Sequence, residues 1–256
     1  MPFTFAHPAA VLPLRGLGRL RMAPLIIGAV TPDMPYYVPQ RFGHFGPETH
    51  SLVGSFTTCL VLGYATLAFV FLLRRPLTAL LSARARWLCL SALAPFDRRP
   101  LEWLLASVSI ILGVWTHLLW DSFTHTDGWV VHRISVLSAP VVIGSYNGTV
   151  CHVLQYVSSV LGLGVLGWWY HRLPAARAVR DPSAPRTAVG PVLMLVAAAA
   201  ILVGGVQATQ AYGQLPIVYH TLYIFLTHSL AWFAVLYLVA GAVVTLEQHH
   251  AASPSG

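Results

Sequence analysis

The stretch LEWLLASVSIILGVWTHLLWDSFTHTDGW (Leu101–Trp129) decides the fold. From Leu101 to Trp120 it carries one formal charge, Glu102, and at 1.5 Å rise per residue it is long enough for the roughly 30 Å core of a bilayer. Polar residues gather only where that apolar run ends. Four more stretches have the same character: Leu52–Leu73, Val153–Tyr170, Val189–Val206 and Leu222–Leu246. The segment Met22–Thr31, bracketed by Pro24 and Pro32, is too short to cross and reads as a re-entrant or interfacial helix packed on the others. The expected architecture is an all-α polytopic transmembrane helix bundle of about five spans, with short N-terminal helices.

Composition supports a lipid solvent. The chain is 56% hydrophobic and 9% charged, whereas soluble domains carry about a quarter charged residues. All 15 basic residues are Arg. They follow the connections between spans, which points to membrane topology and gives no reason to expect a nucleic-acid partner. Six lie between Arg74 and Arg99 and four between His171 and Arg186, against one, Arg133, between Asp121 and His152 and none between Gln207 and Thr221. The positive-inside rule therefore turns the first two connections to the cytoplasm and the 121–152 connection outward. Arg15, Arg19, Arg21 and Arg41 run against this pattern, because they precede the first span on the outer side. In intact cells Cys89 is expected to be protected from an impermeant thiol reagent, and a cysteine introduced near Gly128 to react. The opposite labelling would reverse the orientation.

Cys59, Cys89 and Cys151 are too few and scattered for a disulfide framework or a cysteine-based zinc site, and are expected to be packing residues. The N-terminus lacks early positive charge and a small-residue cleavage site, so it is expected to remain in the mature protein. One membrane domain is expected over 1–246, with its polar site built from 1–163 and a disordered tail from 247 to 256.

His117, Asp121 and His125 recur every four residues, which on a continuous helix places them along one face with about 40° of drift per step. A carboxylate between two imidazoles offers lone pairs to Zn, Mn or Fe. The plain alternative is a wetted helix end, with Thr124 and Asp127 forming the turn before Gly128. Three such residues in register favour the functional reading in a chain with eight acidic residues, because ionisable groups at membrane depth are costly. His50 opens the first span on the same side, and Asp33 lies seventeen residues before it. His7 precedes Pro8, a residue suited to the first position of a helix. Each has a bland account, as a cap or turn residue. His44, His132 and His152 read as solvated. His228 reads as a structural residue bonding a neighbouring helix, and Gln155, Tyr156, Ser158 and Ser159 put polar groups on the first turns of the third span.

The start MPFTFAH, the Pro32-Asp33 pair, the Thr49-His50-Ser51 triplet, the run HLLWDSFTHTDGW from His117 and the segment LQYVSS from Leu154 together resemble DUF4184, a family of bacterial membrane proteins. The resemblance covers Met1 to Leu163. More distantly, the order His, Asp, His, then His-x-x-x-Asp is similar to membrane-bound metal-dependent hydrolases of the YdjM type and, through them, to zinc-dependent phospholipase C. The stretch FGPETHS departs from the Arg-Gly-containing approach usual before that family's THS motif, which bears on Glu48 and His50. The resemblance implies metal ligands at His7, Asp33, His50, His117 and Asp121, with His125 a further ligand or an acid/base beside Asp121. It also implies a multi-pass protein of the bacterial inner (plasma) membrane, and the positive-inside reading puts the site on the non-cytoplasmic side.

The expected function is metal-dependent hydrolysis of a phosphoester or lipid-linked substrate at the membrane interface. Its cofactor would be one or two divalent ions, zinc before manganese or iron, and its substrate an amphiphilic or phosphorylated small molecule in contact with the bilayer. The alternative is a non-enzymatic transporter, metal carrier or assembly protein using the same cluster. Haem binding is disfavoured, because no two spans offer paired histidines at mid-depth.

Overall fold

A computed structural model describes residues 4–37, 46–93, 99–144, 146–173, 189–214 and 218–252. A 3-10 segment, Thr4–Gly16, leads into α1 (Met22–Val30) and a second 3-10 turn, Thr31–Tyr37. Then come α2 (Gly46–Thr49), α3 (Leu52–Phe56), α4 (Thr58–Leu72), α5 (Arg74–Ala79), α6 (Ala83–Ala92) and α7 (Pro100–Thr124). A hairpin of β1 (Pro140–Ile143) and β2 (Tyr146–Thr149) precedes α8 (Val150–Arg172), α9 (Val189–Gln214) and α10 (Val218–Ala252). The five expected spans are present as helices long and apolar enough to cross a membrane: Leu52–Leu72, Pro100–Thr124, Val150–Arg172, Val189–Gly213 and Ile224–His250. Large apolar side chains stand on their outer surfaces, Val53 at 74% and Leu195 at 72% exposed, as a hydrocarbon solvent permits. The first span is bent at Thr57, which leaves the helical region with ψ −92°.

By their contacts the residues group into two compact units, Met1–Ala68 with Pro95–Leu173, and Phe69–Ala94 with Pro174–Gly256, where the sequence reads as one domain. Every expected site residue falls in the first.

In that unit α1 lies backbone to backbone on α7. A Cβ on Gly28 would sit 2.1 Å from the Ile110 carbonyl oxygen, and one on Gly113 2.3 Å from that of Leu25. This is the small-residue contact by which apolar helices approach closely where no hydrophobic drive separates them from lipid. Val11, Leu25 and Ala29 fill one side of the contact, and Cys59, Ile110 and Val114 the other. The depth of α1 is set by two polar contacts. The Arg21 amide donates to Ser109 Oγ at 3.0 Å, and the Ala29 carbonyl meets His117 Nδ1 at 2.8 Å. The Arg21 guanidinium extends further, to the Glu102 carboxylate. Arg21 therefore points toward the Glu102 end of α7 and away from the site end, where the sequence places it. A long side chain can bury its stem and carry its charge to a partner at the far end of a helix. Met22–Thr31, expected to be re-entrant or interfacial, packs along the middle of α7. On the other flank the 3-10 segment meets α8, where a Cβ on Gly162 would be 3.1 Å from Ala6 and from the Trp120 ring.

In the second unit α9 and α10 touch at Gly204 and Ser229, and His228 Nδ1 meets Gln207 Oε1 at 2.8 Å, the interhelical role expected of it. α10 also packs on α5, where Tyr237 donates its hydroxyl to the Leu77 carbonyl at 2.9 Å. Helix α10 continues to Ala252, into the stretch expected to be a tail, so that His249 and His250 are exposed on a helix. Cys59 and Cys151 are buried as expected, but Cys89 is exposed.

Candidate metal centre

The polar stripe begins as a property of one helix. His117 and Asp121, four residues apart on α7, are 0% and 8% exposed, and His117 Nε2 stands 3.1 Å from Asp121 Oδ2. The helix ends at Thr124, and His125 is its extended C-cap, with φ −113° and ψ 144°. The stripe therefore covers two residues where the spacing suggests three. His125 comes back to Asp121 by another route, with Nδ1 3.5 Å from Oδ1.

The chain before α4 supplies the rest. Asp33, 1% exposed in the second 3-10 turn, presents Oδ1 at 3.5 Å from both His117 Nε2 and His50 Nε2. His50 Nε2 is also 3.5 Å from Asp121 Oδ2. One ligand atom from each of Asp33, His50, His117 and Asp121 lies within 4.8 Å of all the others, and the four could hold a metal ion. Two donors about 2.1 Å from a common tetrahedral centre stand ~3.4 Å apart, so separations of 3.1–3.5 Å are compatible with a coordination shell, and the shortest of them also with a hydrogen bond. The Ala29 carbonyl can only accept, so it fixes the His117 proton on Nδ1 and turns the Nε2 lone pair inward. Among the described residues His117 Nε2 makes no hydrogen bond, and the side chain is fully buried. Two carboxylates and two neutral imidazoles offer two negative charges, which balance a divalent cation.

His7 lies outside this four-atom group. It sits within the first 3-10 segment, whose Pro8 and Pro13 are interior, and so is not at a helix start. Its ring stacks on His117 with centroids 3.8 Å apart, and Nε2 is 3.6 Å from Asp121 Oδ1. Burial, reinforced by the adjacent His117, holds the His7 pKa down at about 3. Burial alone would raise that of Asp33, but interactions from His117 and His50 outweigh it and hold the carboxyl well below the usual range.

Several supporting residues escape the sequence reading. Thr4 donates its hydroxyl to Asp33 Oδ2 at 2.6 Å and meets the Tyr37 hydroxyl at 2.9 Å. Thr49 donates to the Pro32 carbonyl at 2.8 Å, tying the chain beside His50 to the chain beside Asp33. Both threonines stand inside motifs already noted, MPFT and THS, but nothing in their spacing distinguishes a ligand's neighbour from a turn residue. Thr4→Ala should lower divalent-metal affinity about 10- to 100-fold, as loss of a ligand's orienting partner does, which calorimetric titration of the purified protein would measure. Glu48 turns away, accepting from the Thr58 hydroxyl at 2.6 Å. His132 is exposed, while Gln155 and Ser159 are buried on α8 and Ser158 Oγ accepts from the Trp120 indole at 3.0 Å. His44 lies outside the described residues.

A family model described as Domain of unknown function (DUF4184) matches residues 1–246, nearly the whole chain and all the residues of the cluster. The chain belongs to the DUF4184 family. No curated protein and no solved structure matches it. The DUF4184 match thus extends beyond the motif-bearing half, through α8, α9 and most of α10. In this DUF4184 protein the buried His/Asp cluster joins three stretches of chain that are apart in sequence.

Proposed function

We propose that this protein is a membrane-bound metal-dependent hydrolase acting on a phosphoester or lipid-linked substrate at the membrane interface. The observation that carries the reading is the convergence of Asp33, His50, His117 and Asp121 at coordination separations, with His117 Nε2 buried against both carboxylates. When bound there, a divalent ion, zinc before manganese or iron, would supply Lewis acidity to a phosphoryl oxygen and acidify a water to near neutrality. The protein's part is positional. Asp33 and Asp121 provide the charge, and Thr4 and the Ala29 carbonyl orient their partners. His125, with its side chain 27% exposed, is the residue placed to take up or deliver a proton at the mouth.

The substrate class follows from the surroundings. The exposed side of His50 opens beside Tyr36, whose ring centroid is 5.7 Å from that of His50. Phe56 and Phe123 are exposed nearby in sequence, on α3 and α7. The proposed substrate is an amphiphile whose polar head reaches the cluster while its chain stays in lipid. The motif order His, Asp, His, then His-x-x-x-Asp, read in the sequence as similar to YdjM-type hydrolases and zinc-dependent phospholipase C, is in keeping with this proposal, which also puts the protein in a bacterial plasma membrane with the site on the outer side. The test is hydrolysis of short-chain phospholipids and lipid-linked phosphates by the detergent-purified protein, with and without chelator. Turnover that chelation abolishes and Zn or Mn restores supports the reading. Stoichiometric metal binding without turnover of any such substrate would favour the carrier or transporter role instead.

A further inference from the structure

We infer that the connection between α7 and α8 is a membrane-docking lip. Its hairpin tip, Val142 and Ile143, inserts into the head-group region of the leaflet on that side, with Trp129 and Arg133 at the same level. The inference stands on the membrane spans and is independent of the metal centre.

From Gly128 to His171 the sequence has a single formal charge, Arg133, and no acidic residue. The connection is nonetheless a folded structure. Val130, Val131, Leu137 and Cys151 pack into a small core of their own. The Val130 and Val131 amides both donate to the Ser122 carbonyl at 3.2 Å, which fixes the connection to the end of α7. The Val150 amide donates to the Ala139 carbonyl at 3.0 Å, which fixes it to the start of α8. Pro140–Ile143 pairs with Tyr146–Thr149, and Gly144, with φ 58°, opens the turn. With its core filled, the connection still leaves Trp129, Val136, Val142 and Ile143 exposed, the last two at 69% and 68%.

Lipid is the occupant that fits this surface. Successive residues of a strand point to opposite faces, so Val142 and Ile143 expose both faces of the tip. An antiparallel sheet docked on protein buries one face and keeps the other polar. All four residues of β1 are apolar, which leaves no face for water. The apolar surface is also continuous with a membrane span: β2 ends at Thr149, α8 begins at the next residue, and Leu154, Val157 and Leu161 are exposed along it. The backbone sets the depth. Among the described residues the sheet has two strands, so its outer edges present amides and carbonyls that hydrocarbon cannot satisfy. The side chains therefore enter while the backbone stays at the hydrated head-group level, where apolar faces reach about 5–10 Å into the boundary. Arg133 and Trp129 suit that level. The guanidinium lies 3.8 Å from the Trp129 ring centroid and donates to the Trp129 carbonyl at 3.1 Å, and both residues are exposed. Tryptophan is enriched at membrane interfaces, and a cation in a stretch without carboxylates complements lipid phosphates. The lip holds the bilayer surface against the end of α7 that carries His117 and Asp121.

The test uses the full chain with Cys89→Ser, keeping the buried Cys59 and Cys151, and adds Val142→Cys or Ile143→Cys labelled with an environment-sensitive fluorophore. Both positions are exposed, so thermal stability in detergent should match that of the Cys89→Ser parent. The labelled proteins are reconstituted in vesicles of phosphatidylcholine and phosphatidylglycerol, with iodide on both faces as the aqueous quencher. At both positions the emission should shift to the blue of the dye in water. Lipid spin-labelled near the head group should quench it several-fold more strongly than lipid labelled near the chain end, or than iodide. Strong iodide quenching at either position would overturn the inference by placing the tip in water. Protection from iodide and from both lipids would overturn it by showing the tip covered by protein, and stronger quenching from the chain end would overturn the interfacial depth.

Discussion

Asp121→Asn should leave the protein inserted and folded yet lower its bound divalent metal at least a hundredfold, with any hydrolytic activity falling in parallel. The substitution nearly preserves volume, but a carboxamide coordinates far more weakly than a carboxylate. Losing an orienting partner alone costs about 10- to 100-fold, so losing the charged ligand that contacts His7, His50, His117 and His125 must cost more. A merely structural Asp121 predicts a different pattern. Stability would fall by on the order of 1–3 kcal/mol, as when a buried polar contact is lost, while metal per folded molecule stayed constant. Metal content and thermal stability measured side by side on the variant in detergent separate the two.

Gly113→Val is expected to abolish the site from a distance. A Cβ at that position would lie 2.3 Å from the Leu25 carbonyl oxygen and 2.8 Å from the Ala29 amide, and backbone cannot step aside as a side-chain tip can. Overpacking costs about 1–3 kcal/mol where side chains can adjust, and more is expected where two helix backbones must separate. Moving α1 away from α7 also withdraws the Ala29 carbonyl from His117 Nδ1, freeing the tautomer that points Nε2 inward. Yield of folded protein and metal content should both fall sharply. Gly164→Val is the matched control: nothing among the described residues lies within 4 Å of its Cβ position, so folding and metal content should stay near wild type.

The parts of the molecule that could be read in the sequence are those set by simple periodicities. Lipid requires long apolar helices, and the bounds of the spans Leu52–Leu72, Pro100–Thr124 and Val150–Arg172 follow closely from that requirement, although the first is bent at Thr57. The four-residue spacing of His117 and Asp121 is a property of a single helix and survives in the structure unchanged. Asp33 and His50 could be tied to that pair only through their shared membrane side, and the structure brings one ligand atom of each within 4.8 Å of the pair. What could not be read depends on contacts between distant segments. The pairing of Arg21 with Glu102 reverses the depth assigned to Arg21, and no local pattern announces it. The C-cap that takes His125 out of helical register depends on the turn after Thr124, where the Gly128 amide bonds back to the His125 carbonyl at 2.9 Å. Exposure of Cys89 follows from how α6 lies in the second unit, which its composition does not fix. Thr4 and the Ala29 carbonyl matter because of what they face, and a sequence contains no facing atoms.

The most direct measurement is the elemental content of the wild-type protein, purified in detergent without added chelator and then titrated with Zn(II) and Mn(II). At least one tightly held transition-metal ion per chain is expected, lost in Asp121→Asn and in His117→Ala and regained by wild type alone after stripping. Fully folded wild-type protein that contains no metal and takes up neither Zn nor Mn would contradict the metal centre, and with it the hydrolase built upon it.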